Sequence, residues 1–276
     1  MKKPYPLGLI IGATYLFVVI LMAVFADSIA PYSFDTQDLM HGLESSSWAH
    51  WFGTDLLGRD LFSRVLFGAR MSLAVGIIAS TVALLLGVSL GAIAGYFGGW
   101  LDTFIMRFSD MLYSFPVLLL AILLMLLLGR GPSGIILAIC LVTWIHQARL
   151  SRGVVMQLKE TPFVESARAL GLNDFQILRH HILPNLLGPV LVLFTFQIPG
   201  NILAESFLSF IGLGLEPPHA SWGTLASDGF RAMRSYPHLM IYPSVVLFIT
   251  MLAFHAVGEG MRKILNPKED LGSYSL

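Results

Sequence analysis

The sequence predicts an all-α polytopic membrane protein with six transmembrane helices. The 276-residue chain is 55% hydrophobic and only 12% charged, whereas an average soluble domain has about 25% charged residues. So few charges could not cover so much apolar surface in water, and the apolar residues form six runs long enough to cross a bilayer. Nucleic-acid binding has no support, because the sequence contains no basic surface with interleaved aromatic residues.

The first predicted span covers residues 7–26 and follows Lys2 and Lys3. A basic start before an apolar stretch also occurs in secretory signal peptides, but their apolar region has only about 7–15 residues. The run here suits a retained spanning helix of about 20 residues. A polar, irregular stretch follows. We therefore divide the chain into an N-terminal helix with its extracytoplasmic loop, residues 1–70, and a five-helix core, residues 71–276.

The stretch just before the second span has helical spacing. Leu61, Val65, Leu66 and Ala69 fall on one side of a helix over residues 58–70. This pattern indicates either an amphipathic approach to the membrane or a lid or docking surface, and the spacing is compatible with both.

The second span is predicted within residues 71–101, which carry no charge. Gly87, Gly91 and Gly95 recur every four residues, so they share one helix face where a neighbouring backbone can approach closely. Helix packing is the favoured interpretation of this face, and the lining of a substrate path is the alternative.

Four further spans complete the predicted bundle. Pro116 is expected to kink the third span or to adjust its end, because proline lacks a backbone N–H. Arg107 and Asp110 lie three residues apart and are expected to form a local ion pair. The four spans are predicted over residues 110–128, from residue 135 through Trp144 to the polar positions Arg149 and Arg152, and over residues 186–211 and 239–258.

Six spans place both termini on one side of the membrane, and the distribution of basic residues indicates which side. Eleven of the 17 lysines and arginines, including every lysine, fall on the side of the termini. The positive-inside rule makes that side cytoplasmic. The same side receives residues 161–185, the longest polar interruption in the second half of the chain, which we call the central loop.

The central loop predicts two short helices. Thr161 and Pro162 suit the start of the first helix, and Gly171 suits a left-handed C-terminal cap. Asn173 is a candidate cap for a second helix that Pro184 is expected to end. The expected apolar stripes comprise Val164, Ala167 and Leu170 in the first helix, and Phe175, Leu178 and Ile182 in the second.

Helices this short are marginal alone in water, so the central loop needs packing on both sides. The ends of the spans supply one side, and a soluble partner fits the other. The alternative is an ordinary loop whose Arg168, Arg179, His180 and His181 merely follow the positive-inside rule.

The central loop resembles the EAA loop of ABC-transporter permeases. The resemblance rests on Glu165-Ser166-Ala167, Gly171 and Ile182-Leu183-Pro184. Ser166 stands where alanine is usual, and His181 occupies the position where the first isoleucine often stands.

Three further stretches are similar to the dipeptide/oligopeptide/nickel permease family, and specifically to its second, C-type subunit. They are FGTDLLGRDLFSR at residues 52–64, ESFLSFIGLG at residues 205–214, and VGEGMRKILNP at residues 257–267. In the last stretch, Glu259 and Asn266 replace common aspartates. The resemblance spans nearly the whole chain, with four motifs in order.

The resemblance implies the permease fold of type I ABC importers in a bacterial or archaeal cytoplasmic membrane. It implies a heterodimer with a second permease subunit, two ATPase subunits that bind ATP, an extracytoplasmic solute-binding protein and a lipid environment. It implies import of dipeptides or oligopeptides, or alternatively of nickel or a metal chelate. By the same resemblance, the residues expected to couple this chain to an ATPase subunit are Glu165, Ser166, Ala167, Ala169, Gly171 and Pro184.

No enzymatic activity and no cofactor are expected of this chain itself. It contains no G-x-x-x-x-G-K-[ST] phosphate loop and neither H-E-x-x-H nor G-x-S-x-G. An ATP-independent secondary transporter is the less favoured alternative, because paired broken helices and an internal repeat are not evident. A membrane scaffold that transports nothing is a third.

Three ionisable residues fall within the predicted spans. His146, His255 and Glu205 are candidates for the translocation pathway or for gating, since intramembrane ionisable groups are commonly functional. The histidines could instead lie near the cytoplasmic interface or bond across helices, and Glu205 could pack helices. No metal site is predicted, because a metal needs several convergent ligands.

Overall fold

A computed structural model describes residues 6–129 and 131–265, and the secondary-structure elements of these residues are helices. Lys2, Lys3, Arg130, Asn266 and Lys268, on which parts of the sequence argument rest, lie outside it. The α-helices are α1 (Leu7–Val24), α2 (Ala26–Ile29), α3 (Leu61–Phe97), α4 (Gly99–Tyr113), α5 (Val117–Leu128), α6 (Pro132–Lys159), α7 (Pro162–Ala169), α8 (Asp174–Ile177), α9 (Leu183–Leu208), α10 (Trp222–Arg231) and α11 (His238–Leu265). A 3₁₀ turn covers Leu39–His41, and π turns cover Leu178–Ile182 and Ser209–Leu213.

Five helical segments of the described chain are long and apolar enough to cross a membrane: α1, α3, α6, α11 and the segment from Asp174 to Leu213 that contains α9. The pair α4 and α5 is bent by 91° and makes a sixth span if it is counted as one. The third span predicted over residues 110–128 is therefore not one continuous helix, and the break expected at Pro116 is confirmed. Pro116 disfavours helical backbone in the residue before it and lacks an N–H, so α4 ends at Tyr113 and α5 starts at Val117.

Helix α3 starts earlier than the sequence predicts. Asp60 caps its N-terminus, with its carboxylate accepting the backbone N–H of Ser63 at 2.7 Å. The helix then continues without a break to Phe97, so residues 58–70 form no separate approach helix, and residue 70 lies inside α3. The predicted apolar stripe that includes Leu61 and Val65 is confirmed, because it is buried in the core.

The glycine face of α3 packs against α6, as the sequence predicts. A methyl group on Gly87 would lie 2.5 Å from the Trp144 carbonyl oxygen, and one on Gly95 would lie 2.7 Å from that of Arg152. Gly91 meets the Ala148 backbone between them. Because later residues of α3 meet later residues of α6, the two helices are parallel.

The other helices surround this pair and fix which ends lie together. Helix α9 is antiparallel to α3, since Gly76 packs on Ile202 and Ser80 bonds Asn201. Helix α1 packs along α11, where Gly260 faces Leu9. The start of α1, the end of α11 and the central loop consequently share one end of the bundle, and the loop before α3 and helix α10 share the other.

Replacing Gly91 by alanine should destabilise the bundle. The added methyl would collide with the Ala148 backbone, and overpacking of this kind costs about 1–3 kcal/mol. A lower thermal unfolding midpoint of the purified protein in detergent would confirm it. Gly153→Ala in α6 is the matched control, because a methyl there meets nothing within 4 Å. Equal midpoints for the two variants would contradict the packing role.

Candidate functional site

The central loop turns sharply after α7 through a C-terminal cap centred on Gly171. Gly171 has a φ of +83°, in the left-handed region that favours glycine. The Leu172 N–H donates to the Ala167 carbonyl at 3.2 Å, and the Gly171 N–H donates to that of Arg168 at 2.9 Å. This pair of bonds is a Schellman motif and satisfies carbonyls that the helix end leaves open. The predicted role of Gly171 as a cap is confirmed.

The second short helix begins as predicted but does not end as predicted. Asn173 and Gln176 form a reciprocal capping box, with both bonds at 2.9 Å. Pro184 does not end the helix, because the preceding turn is π-helical and the Leu183 N–H reaches back to the Leu178 carbonyl. This wider turn relieves the clash that a proline ring makes in a regular helix. The chain is therefore helical from Asp174 through α9.

One side of the central loop is seated on the spans. Val164 and Ala167 are buried with Ile177 and Ile182 in a cluster that includes the ends of α3 and α6. The Tyr96 hydroxyl of α3 donates to the Asp174 carboxylate at 2.7 Å, which ties the second short helix to the bundle. The packing that such short helices require is thus present on this side.

The opposite side of the central loop carries exposed apolar groups. Leu170 is 81% exposed and Phe175 is 67% exposed, so neither packs with the other apolar residues of the two short helices in the buried cluster. Leu170 follows the last helical residue of α7 and has left the helical face. Thr161 stands at the N-cap position, but its hydroxyl donates to the Leu158 carbonyl and caps nothing.

The residues carried over from the EAA resemblance lie together on this loop. Most of them are at the surface beside Leu170, and Ala167 is buried beneath them. The Ser166 hydroxyl donates to the Pro162 carbonyl at 2.8 Å within its own helix, so serine is accommodated where alanine is usual. The exposed members are Glu165, Ser166, Ala169, Gly171 and Pro184.

At the other end of the bundle, a buried ion cluster closes a cavity of about 580 Å³. The Asp55 carboxylate accepts the Arg59 Nε–H at 2.7 Å and also bonds the guanidinium of Arg64. Asp228 of α10 lies at the edge, 3.9 Å from Arg64. Burial raises the pKa of the Asp228 carboxyl, and the nearby arginines oppose that rise. We name Asp55, Arg59 and Arg64 the outer ion cluster.

The outer ion cluster lies within residues 52–64, and its ion pairs were not predicted from the sequence. The signal was available in part, because Asp55 and Arg59 are four residues apart with opposite charge. The stretch is neither an approach helix nor a free lid. This stretch and the start of α3 form a wall of the cavity of about 580 Å³, which we name the outer cavity.

A second cavity, of about 390 Å³, opens between α4, α6 and α9 in the membrane-spanning region. We name it the membrane cavity. His146 lines it with Gln197 and Asn201, two polar residues that the sequence argument missed. Gln197 accepts the Gln147 amide N–H at 2.6 Å, so its orientation is fixed by α6.

The other two ionisable candidates are not at the membrane cavity. His255 lies on α11 against the ring of Phe196, with ring centroids 5.6 Å apart. Glu205 is completely buried inside the chain. A role of either residue in the pathway or in gating stays a prediction.

Charged pairs near the central-loop end differ from the expected ones. Asp110 accepts from the Arg149 guanidinium at 2.7 Å, across two helices, where the sequence had paired it with Arg107. Asp102 likewise accepts from Arg152 of α6, with one bond of 2.6 Å. Both pairs hold α4 against α6. Within residues 6–129 and 131–265, no three histidine, cysteine or acidic side chains lie together as metal ligands would.

A helical bundle of five or six spans, with a short-helix loop exposed at one end, defines a polytopic membrane protein. The chain belongs to the binding-protein-dependent transport system inner membrane components, whose family model matches residues 87–270. A second model, the N-terminal TM domain of oligopeptide transport permease C, matches residues 8–45. The protein is therefore a multi-pass membrane permease.

Named relatives are similar over almost the full chain. The oligopeptide transport system permease protein OppC of Bacillus subtilis is 43% identical, covering 94% of this chain and 85% of that protein. The dipeptide transport system permease protein DppC of Bacillus subtilis is 42% identical over 93% of this chain and 81% of its own. The glutathione transport system permease protein GsiD of Pectobacterium atrosepticum is also 42% identical, over 93% and 86%.

A solved structure supports the fold independently. The MetNI methionine ABC transporter, in an inward facing conformation, matches with a TM-score of 0.58 over 74% of this chain and 96% of its own. The identity is 17%, so this likeness concerns the fold alone. The predicted type I importer permease fold is confirmed.

Replacing Asp55 by asparagine should destabilise the protein strongly. Two buried arginines would lose the carboxylate they share, and breaking a buried ion pair from one side costs about 3–5 kcal/mol. The thermal unfolding midpoint in detergent should fall well below that of the parent. Asp35→Asn, at an exposed carboxylate of the same loop, is the control and should have no such effect. A parental midpoint for Asp55→Asn would exclude a structural role of the cluster.

Proposed function

We propose that this chain is one of two different permease subunits of an ATP-driven importer that takes up short peptides with the help of a solute-binding protein. The relatives named for oligopeptide, dipeptide and glutathione transport support a peptide substrate, since glutathione is itself a small peptide. The chain acts as a pore-forming subunit and not as an enzyme. ATP is bound and hydrolysed by two partner ATPase subunits.

The observation that carries this proposal is the central loop. It is rigidly capped at both turns, seated on the spans by one face, and exposes Leu170 and Phe175 on the other. Exposed apolar side chains on a well-ordered surface are typical of a protein interface. An ATPase subunit that covers them could move the loop, and the buried face would pass that movement to α3, α6 and α9.

The orientation of the chain follows from where the ATPase must bind. ATP is available in the cytoplasm, so the central loop faces the cytoplasm, together with both termini. The excess of lysine and arginine on that side supports the same orientation. The outer cavity and α10 then face outward, toward the solute-binding protein.

The membrane cavity is our candidate for this subunit's part of the translocation pathway. Its polar lining consists of amide, hydroxyl and imidazole groups, including His146, Gln197 and Asn201, and among the residues that the structure describes it contains no carboxylate, lysine or arginine. Such groups can exchange hydrogen bonds with a peptide backbone without holding it through a fixed charge. Import of a metal chelate would need metal ligands from another chain or from the chelator itself.

A cysteine placed at Ala169 should crosslink this chain to the ATPase. Ala169 is exposed beside Leu170, and the native Cys140 is buried, so the new thiol is the accessible one. The assay treats the assembled transporter with a short bifunctional thiol reagent and identifies the crosslinked product by mass spectrometry. Trp48→Cys, at a residue that is 98% exposed in the outer loop, is the control and should give no ATPase product. Absence of the Ala169 product in an intact complex would refute the proposed contact.

Replacing His146 by tryptophan should block the membrane cavity. The indole would fill much of a space of about 390 Å³. We expect peptide uptake into vesicles to fall roughly tenfold or more, which corresponds to a barrier higher by at least about 1.4 kcal/mol. Leu141→Trp, at an exposed position of the same helix outside the cavity, should retain uptake. Equal uptake by the two variants would place the pathway elsewhere.

A further inference from the structure

Glu205 is completely buried in α9, near the outer end of the span. Within residues 6–129 and 131–265 it forms no salt bridge. Serine hydroxyls surround it instead: Ser209 donates to Oε1 at 2.7 Å, and Ser72 donates to Oε2 at 3.3 Å. A carboxyl group at such a place is costly compared with an apolar side chain. Its presence therefore needs a reason beyond filling space.

The hydroxyl groups around Glu205 come from different parts of the fold. Ser72 belongs to α3, Ser209 to the π turn after α9, and Ser206 to α9 itself, at 3.4 Å. Ser221, the cap residue of α10, donates to the Ser209 hydroxyl at 3.4 Å. We name these four residues the serine cluster.

The serine cluster also holds α10, the helix at the outer surface. The Trp222 backbone N–H donates to the Ser72 hydroxyl at 3.1 Å, and the Trp222 indole N–H donates to the Val65 carbonyl at 3.2 Å. Gly223 lies so close to α9 that an added methyl would be 2.6 Å from the Ser206 carbonyl oxygen. A displacement of α10 would therefore act on α3 and α9 at the residues that surround Glu205.

The helix that carries Glu205 reaches the opposite end of the bundle. The segment that starts at Asp174 is helical through Ile211, before Gly212 leaves the helix with a φ of +84°. Its length is roughly 55 Å at the rise of an α-helix. Its first turn, at Asp174, belongs to the central loop, and its last turns hold Glu205 and Ser209. One helical segment thus joins the outer helix α10 to the proposed ATPase contact.

We propose that Glu205 is a positioning residue for transport, a joint that transmits docking of the solute-binding protein on α10 to the central loop through α9. The inference rests on the proposed function, which supplies the partners at both ends. A carboxyl group suits a joint, because its two oxygens hydrogen-bond hydroxyl groups from several elements at once. Donors on α3, on the π turn and at α10 can therefore exchange as these elements shift, which fixed apolar packing does not allow.

The test uses the complete transporter in lipid vesicles, with the binding protein saturated by a tryptic digest of casein. ATP hydrolysis is measured with and without the loaded binding protein. The parent should be stimulated by it. Glu205→Gln should assemble and keep its basal hydrolysis, but stimulation should fall by at least about fivefold, in the range of an allosteric coupling between two sites.

Controls separate the joint from a purely structural role. Ser109→Ala removes another buried hydroxyl, which bonds only the Ile105 carbonyl of its own helix, and should leave stimulation intact. A structural role of Glu205 predicts that assembly and basal hydrolysis fall together. If Glu205→Gln does not assemble, the double variant Ser72→Ala, Ser209→Ala distinguishes the joint from a structural role. It removes two hydrogen-bond donors to Glu205 and keeps the carboxyl group.

The outcomes are distinct for the two proposals. Full stimulation of an assembled Glu205→Gln transporter, or of the double serine variant, overturns the joint while the proposed function stands. A parent transporter that the loaded binding protein does not stimulate contradicts the proposed function, and the joint falls with it.

Discussion

The close contact between α3 and α6 is the interaction on which the rest of the structure depends. Gly87, Gly91 and Gly95 let the two backbones meet without side chains between them. The helices are parallel, so the chain must return between them, and the bent pair α4 and α5 makes that return. Helix α6 of this pair forms one wall of the membrane cavity. The C-terminal end of α3, together with α6, packs against the central loop. In an apolar medium, such van der Waals contact is a principal source of helix association.

The polar groups at the two ends of the bundle differ from those in its middle. Charged pairs lie at the two ends: Asp102 with Arg152 near the central loop, and the outer ion cluster at the other end. Between them the interior uses neutral pairs, such as Asn201 with Ser80 at 2.9 Å. Neutral hydrogen bonds satisfy buried groups without the desolvation that an ion pair requires. Glu205 departs from this pattern, which is why its serine neighbours matter.

The sequence predicted the fold class, the glycine seam and the two-helix central loop, because each depends on local pattern or on composition. It could not predict where helices join. Pro184 looks like a helix end, yet a π turn, which no residue type signals, lets the helix continue. Leu170 and Phe175 are apolar like the buried residues of the same two short helices, but both are exposed, because burial depends on how each helix is seated on the spans. Gln197 and Asn201 could not be recognised as cavity-lining residues from the sequence, because the cavity forms only where α4, α6 and α9 meet.

The two π turns bear on how α9 can work as a connecting element. One lies between α8 and α9, beside the central loop, and the other lies immediately after Leu208, beside Glu205. A π turn holds its backbone in wider hydrogen-bonded rings than the α-helix does and is frequent at functional sites. A change in the hydrogen-bond register of either π turn would shift the loop next to that turn, while the helix between the two turns stays intact. The segment that contains Pro189 and Pro199 lies between the two π turns, each of which is next to a surface where a partner is proposed to bind. This arrangement allows movement at either end to be passed along α9 without unpacking the glycine seam.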